Sequence, residues 1–398
     1  MRFAFRLALV VLTVLSAQSA FARLPRRGFR STDVRVRYGL DQNWLRYDRV
    51  AGAFVGGWVG VDNIGVPRSE SRLYLGFAVA AEKADVEVTT LWPFSLGGAW
   101  EVRAFWRDLL ATDDDWKVGA FENTLAAAFL QEDLRDYHHV YGGGGSLEYW
   151  PHRTVGLTVS LATEGYRSID KQTDFSLFGG DKEFPANPDV FEGRIARASV
   201  SAEYDNLDEL VFLPDTEGWR FRFSVERADS TLGSDVEYTR YTASAVRLQE
   251  TYGRQYLRAR LAVGTASAAY LPRQRSFVVG GLSTLRGHKE RSFVGDRMAL
   301  LNADYYFGGD LIGRLKVPVL GRLQLVPFCD VGLAWSSNDP FDELNFDGFD
   351  RHTARVDVGI GVADAFELVR IDIARRTDTG RDAWRITGRI LLGEKMFD

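Results

Sequence analysis

The sequence predicts an all-β fold, a transmembrane antiparallel β-barrel, on three observations. An export signal opens the 398-residue chain. Apolar and polar residues then alternate with period two, segment after segment, to residue 392. Beyond the first apolar run no stretch is long enough for a membrane helix, so a chain of this kind enters a membrane only through strands.

Residues 1–22 carry the signal. Arg2 and Arg6 form a basic start, Leu7 to Leu15 is an apolar run too short to span a bilayer, and Ala20-Phe21-Ala22 is a cleavage site. The barrel is then expected over residues 23–398. Cys329 is the single cysteine, which excludes an intramolecular disulfide framework and a cysteine-based zinc site. A net charge of −5 argues against nucleic acid as a partner, because phosphate neutralisation needs an excess of Lys and Arg.

The strands follow from the alternation. Candidates lie near 33–40, 47–61, 71–82, 84–92, 98–107, 139–149, 154–167, 192–205, 218–229, 236–248, 256–268, 297–307, 322–335, 353–363, 365–376 and 383–392. On 218–229 Trp219, Phe221, Phe223 and Val225 oppose Arg220, Arg222, Ser224 and Glu226, and on 365–376 Val369, Ile371 and Ile373 oppose Arg370, Asp372 and Ala374. About sixteen strands is an even number, as a single-chain bacterial barrel requires, with twelve or fourteen as alternatives. Alternation alone also fits a soluble β-sandwich. Lipid is favoured by polar faces rich in Arg, Asp and Glu, and by Trp92, Trp150, Tyr166, Trp335 and Trp384 near strand ends, where an aromatic girdle belongs.

Three connections are long: 108–138, 168–191 and 269–296. The first contains Phe121, Leu125 and Phe129 on one face at helical spacing, an amphipathic helix expected to fold over the barrel mouth. The second is a loop by its glycines, aspartates and prolines. Within the third comes Val279-Gly280-Gly281-Leu282-Ser283-Thr284-Leu285-Arg286-Gly287-His288, followed downstream by Asp304 and by Phe328-Cys329-Asp330-Val331-Gly332.

These residues resemble the BamA/TamA-type superfamily of outer-membrane assembly and translocation barrels, also called bacterial surface antigens. There a glycine pair precedes a V-R-G-[FY] tetrad in a long sixth extracellular loop folded into the lumen. An F-x-D-x-G strand follows, with an acidic residue on the strand before it. Gly280 and Gly281 match the pair, Arg286-Gly287 the centre of the tetrad, and Phe328 to Gly332 the F-x-D-x-G strand. Leu285 stands for the usual Val, His288 for the aromatic and Asp304 for the commoner Glu. Arg46-Tyr47-Asp48-Arg49-Val50 and the stretch from Asp205 to Gly218 are weaker matches. Such barrels end on an aromatic residue, whereas Phe397 here is penultimate. The family's periplasmic POTRA modules find no room in residues 23–32, so the resemblance is to a POTRA-less member.

Alternation independently turns Asp304 and Asp330 into the lumen on neighbouring strands, while Arg286 sits on a loop long enough to reach them. A planar guanidinium can bridge two carboxylates, and Gly287 lets the backbone approach the wall. Arg286, Gly287, Asp304 and Asp330 are therefore expected to pin the loop inside. No cofactor, metal site or catalytic group is expected: His138, His139, His152, His288 and His352 show no zinc-binding spacing, Gly142 to Glu148 lacks the G-x-S-x-G elbow, and the His138-His139 pair and the Asp113-Asp114-Asp115 run read as solvated loops. The resemblance implies no enzyme. It implies aid to the insertion or transport of proteins or lipids, with outer-membrane lipids, unfolded outer-membrane proteins or a separate periplasmic protein as partners. A passive pore or structural barrel is the alternative.

Overall fold

A computed structural model describes residues 34–390 apart from 41–44, 65, 96–98, 181, 208–216, 254, 308–322, 340, 351, 365–368 and 379–382. Residues 1–22, expected to carry an export signal, and Phe397 lie outside these residues. Among the described residues seventeen strands form one antiparallel sheet. The first two, β1 (Arg35–Gly39) and β2 (Leu45–Asp48), lie end to end against β3 (Gly52–Asp62). Each further strand pairs with the next in chain order: β4 (Glu70–Ala78), β5 (Lys83–Ser95), β6 (Ala99–Ala111), β7 (His138–His152), β8 (Val155–Arg167), β9 (Gly193–Asp205), β10 (Gly218–Ala228), β11 (Tyr238–Glu250) and β12 (Tyr256–Ser267). A small hairpin of β13 (Phe277–Val279) and β14 (Phe293–Gly295) stands apart. The sheet resumes with β15 (Arg297–Tyr306), β16 (Leu323–Trp335), β17 (Arg355–Asp364), β18 (Val369–Arg376) and β19 (Trp384–Ile390).

The stretch 47–61, read as one strand, is the end of β2, a turn and most of β3. Asp48 Oδ1 accepts the N–H groups of Val50 (3.0 Å) and Ala51 (2.6 Å), and Gly52 takes φ 62°. The turn residues Val50 and Ala51 are themselves apolar, so the pattern runs through it unmarked.

Burial separates the membrane barrel from the soluble sandwich. On β17 and β18 the side chains of Val358, Ile360, Val362, Val369, Ile371 and Ile373 are 40–54% exposed, while Asp357 and Asp372 are fully buried. A soluble sheet would bury the aliphatic face. Here the aliphatic residues face outward and the charges inward, as lipid outside and a polar lumen require. No described helix is long and apolar enough to cross a membrane.

Alternate connections of an antiparallel meander lie at one end. Loops L3 (112–137), L4 (168–192) and L6 (268–296, which carries β13 and β14) therefore emerge together. L3 holds helix α1 (Ala120–Leu125), continued by a π turn, Ala126–Leu130. Its buried side is not the Phe121/Leu125/Phe129 stripe. Phe129 and Leu130 are exposed, and Asn123, Ala127 and Ala128 are buried. Asn123 donates to Asp133 (3.0 Å) and the Tyr137 hydroxyl (2.9 Å), so the helix, like the strands, turns its polar side inward.

No ladder joins β19 to β1 or β2 among the described residues. Helix α1 touches both ends instead. Thr124 Oγ1 accepts the Tyr47 N–H of β2 (3.1 Å), and Glu122 lies 3.4 Å from Arg389 of β19. The Tyr47 ring packs with Ala127, Ala128 and Phe184.

Candidate functional site: the L6 tip on the inner wall

The tip of L6 is a tight turn shaped by its glycine pair. Gly280 and Gly281 have φ of 117° and 102°, a region that side chains disfavour. A Cβ on Gly280 would lie 2.7 Å from the Lys289 carbonyl, and one on Gly281 would overlap the Glu290 carboxylate. That carboxylate accepts the Leu282 N–H (2.8 Å), while Thr284 Oγ1 accepts the Gly280 N–H (2.8 Å). Leu285 anchors the tip, fully buried among Phe277, Val279, Met298 and Leu300.

Arg286 follows directly. Its Nε and Nη2 donate to Asp330 Oδ2 (2.8 Å) and Oδ1 (2.6 Å), a bidentate pair with β16. Nη1 donates to Asp304 Oδ1 on β15 (2.7 Å) and lies 3.8 Å from Asp372 on β18. The guanidinium rests over the Phe328 ring at 3.5 Å, which adds attraction to the ring face. Asp304 and Asp330 are at most 1% exposed. Charges so far from water persist only when paired and hydrogen-bonded.

Gly287 donates its N–H to Asp357 Oδ2 of β17 (2.7 Å), and a Cβ there would sit 2.8 Å from the same carboxylate. His288 Nδ1 lies 3.1 Å from Asp357 Oδ2, and its Nε2 lies 3.7 Å from Asp378. A histidine can hydrogen-bond at this position where a phenylalanine could only pack. Gly332 brings β16 close to β15: a Cβ would meet the Ala299 carbonyl at 2.9 Å.

Several partners were not singled out in the sequence. Arg370 donates to Asp304 (2.7 Å), Asp372 (2.7 Å) and the Tyr306 hydroxyl (3.0 Å), and Asn302 donates to Asp330 (2.8 Å) and the Thr284 carbonyl (2.7 Å). Alternation on β15 and β18 places all of them inward, and the same reasoning that found Asp304 reaches them.

A second charged cluster lies higher, where the loops meet. Arg49, fully buried in the turn after β2, contacts Asp136 (2.9 Å), Asn187 (3.0 Å) and the Arg135 carbonyl (2.7 Å). Arg291 of L6 joins Asp136 (2.7 Å) and Asp114 (3.5 Å), and Lys117 pairs with Asp114 (2.6 Å). Asp114 is thus no solvated turn residue: burial pushes its carboxyl up, but Lys117 and Arg291 outweigh that and hold it down at about 2. His138 and His139 are likewise buried at the head of β7, His139 with Asp108 at 2.6 Å. Tyr166, expected in the girdle, points inward to Glu164 (3.0 Å) and Arg275 (2.8 Å). Its place at a strand end fits a girdle, but it shares the inner face with Glu164 two residues before it.

No curated protein matches the sequence. Among solved structures, BamA from Haemophilus ducreyi lacking POTRA domains 1–3 superposes with a TM-score of 0.57 at 13% identity, over 91% of this chain and 71% of that one. CdiB from Escherichia coli gives 0.47 at 12% over 91% and 63%, and CdiB from Acinetobacter baumannii 0.43 at 11% over 89% and 58%. The BamA likeness supports the barrel fold. The Omp85 superfamily domain matches residues 191–386, from just before β9 to β19, and so contains the L6 tip with every strand it touches. The chain thus carries an Omp85 superfamily domain over residues 191–386.

Proposed function

We propose that this chain aids the insertion or transport of proteins or lipids at the outer membrane, and that Arg286 is the lock that keeps L6 seated while the wall between β19 and β2 changes. One observation carries the reading: Arg286 is shared by carboxylates of strands β15 and β16, within reach of a third on β18. The tip is thereby tied to the wall next to the sheet's last edge. That edge and the β2 edge meet through α1 rather than through a described ladder, and a free edge can template an incoming strand. Lipid bathes the aliphatic belt. Unfolded outer-membrane proteins are the cargo that suits an edge, delivered directly or by a separate periplasmic protein. L6 packed on the inner face weighs against a wide passive pore.

The test is insertion into liposomes. Purified protein is reconstituted, an unfolded outer-membrane barrel is added, and its folding is followed by gel mobility. Arg286→Ala is run alongside after its own folded fraction has been measured. Faster folding of the added barrel with wild type but not with the variant supports the reading. No acceleration by wild type moves the assignment to a structural barrel.

A further inference from the structure

A cavity of about 640 Å³ lies between the inner face of β9–β12 and loops L3 and L6. None of Arg286, Asp304, Asp330 or Asp357 lines it. Its size is that of a small-ligand site. Register explains the hollow. Ser224 of β10 stands opposite Thr242 of β11, which stands opposite Gly264 of β12; Arg222, Ser244 and Ala262 form the next row. Most inner-face positions in these rows are short side chains. Arg240 rises two residues beyond Thr242, and Arg260 lies two residues beyond Ala262 on the other side. A floor of hydroxyls and small residues is thus flanked by guanidiniums from three strands.

The carboxylates around the cavity are already engaged. Asp114 is held by Lys117 and Arg291, Asp136 by Arg291 at 2.7 Å, and Glu203 by Arg222 at 3.3 Å. Asp113 lies 4.0 Å from Arg275. Arg240 stands opposite Glu226 in the β10–β11 ladder, but that carboxylate pairs with Arg197 at 3.3 Å and Arg275 at 3.7 Å, and no carboxylate lies within ion-pair distance of Arg240 among the described residues. Its guanidinium lies over the Phe277 ring at 4.5 Å, and its buried Nε finds no acceptor. Arg260 is 5% exposed, with its guanidinium 5.1 Å from the Trp116 ring and a hydrogen bond to the Ser283 carbonyl at 3.4 Å. The Phe277 ring face fixes the Arg240 guanidinium plane without neutralising it, and a guanidinium with a buried, unaccepted N–H calls for an anion.

We propose that this cavity binds a phosphate group, with Arg240 as its principal contact, Arg260 and Arg222 beside it, and Thr242 and Ser244 hydroxyls completing the tetrahedral set of donors. Planar guanidiniums bind phosphate oxygens in bidentate fashion, and hydroxyls fill the remaining lone pairs. The phosphate is either free or part of a lipid headgroup. The site is independent of the Arg286 lock, and its test reads binding rather than insertion.

The purified protein in a non-ionic detergent is titrated calorimetrically with inorganic phosphate, with short-chain phosphatidic acid, and with acetate. Saturable phosphate binding, weakened about tenfold in Arg240→Gln through loss of a charge-assisted pair, is the expected result. Tighter binding of phosphatidic acid than of inorganic phosphate assigns the site to a lipid headgroup; equal binding assigns it to the free ion. Acetate binding as tightly as phosphate overturns the phosphate assignment. So does a wild type that binds neither phosphate probe, a result that does not depend on any variant folding. Arg153→Gln, at the exposed turn between β7 and β8 and not among the residues lining the cavity, is the control, and a loss there equal to that in Arg240→Gln also overturns the proposal.

Discussion

Removing Arg286 tests whether the buried network is energetically what its distances say. In Arg286→Ala the two bridged carboxylates fare differently. Asp304 keeps Arg370 at 2.7 Å, but Asp330 keeps only the Asn302 amide at 2.8 Å and the backbone N–H of residue 286 at 3.2 Å, and loses both guanidinium bonds. The cost of stranding a buried charge, about 3–5 kcal/mol, therefore applies once rather than twice. The lost contact with Phe328 adds roughly 1 kcal/mol, for a total of about 5 kcal/mol, a large part of an ordinary domain's stability. Urea unfolding in detergent, followed by heat-modifiable gel mobility and tryptophan fluorescence, measures it. A variant within about 1 kcal/mol of wild type would behave like an exposed ion pair and would refute the reasoning. The swap Arg286→Asp with Asp330→Arg is expected to restore only part of the loss. It sets a new carboxylate beside Asp304 and within reach of Asp372.

Three further outcomes follow from distances given above. Gly287→Ala puts a methyl 2.8 Å from the Asp357 carboxylate and forces the two apart, a loss of about 1–3 kcal/mol in the same urea titration by overpacking. Thr124→Val removes the acceptor of the Tyr47 N–H; faster hydrogen exchange at Tyr47 and a loss of about 1 kcal/mol are expected, and unchanged exchange would separate α1 from the β2 edge. The carboxyl of Asp114 is depressed in the folded chain, so its contribution is complete above the ordinary carboxylate range and fades as pH falls toward about 2. About 2 kcal/mol of acid-dependent stability should accordingly vanish in Asp114→Asn, read from unfolding midpoints at several pH values.

Strand alternation alone was enough to place most of the wall, because a sheet with lipid on one side and charge on the other marks every second residue. That rule turns Asp304 and Asp330 inward, and both are buried there. What it missed lies where that rule has no purchase. The turn at Val50 and Ala51 is apolar and tucked beneath the loops. Helix α1 has an apolar stripe, yet its polar side faces the core, because the interior here is the polar phase. His138, His139 and Asp114 sit in or beside loops, and loops read as wet unless other loops are known to cover them. Tyr166 is a different case: alternation sets it on the inner face with Glu164, and only its residue type suggested the interfacial belt.

The L6 tip also keys the register of the strands that follow it. Arg286 precedes β15 to β18 in the chain, yet its partners lie on three of them, and Gly287 and His288 reach the fourth. Shifting β16 by a single residue would send Asp330 to the lipid side and offer Cys329 or Val331 to the guanidinium instead. Aliphatic contacts with lipid discriminate poorly between registers, since one Val or Ile serves a bilayer as well as the next. The tip does discriminate, and it closes only on a wall whose four strands are all aligned. Its seating is therefore a readout that the C-terminal half has been put together in the correct frame.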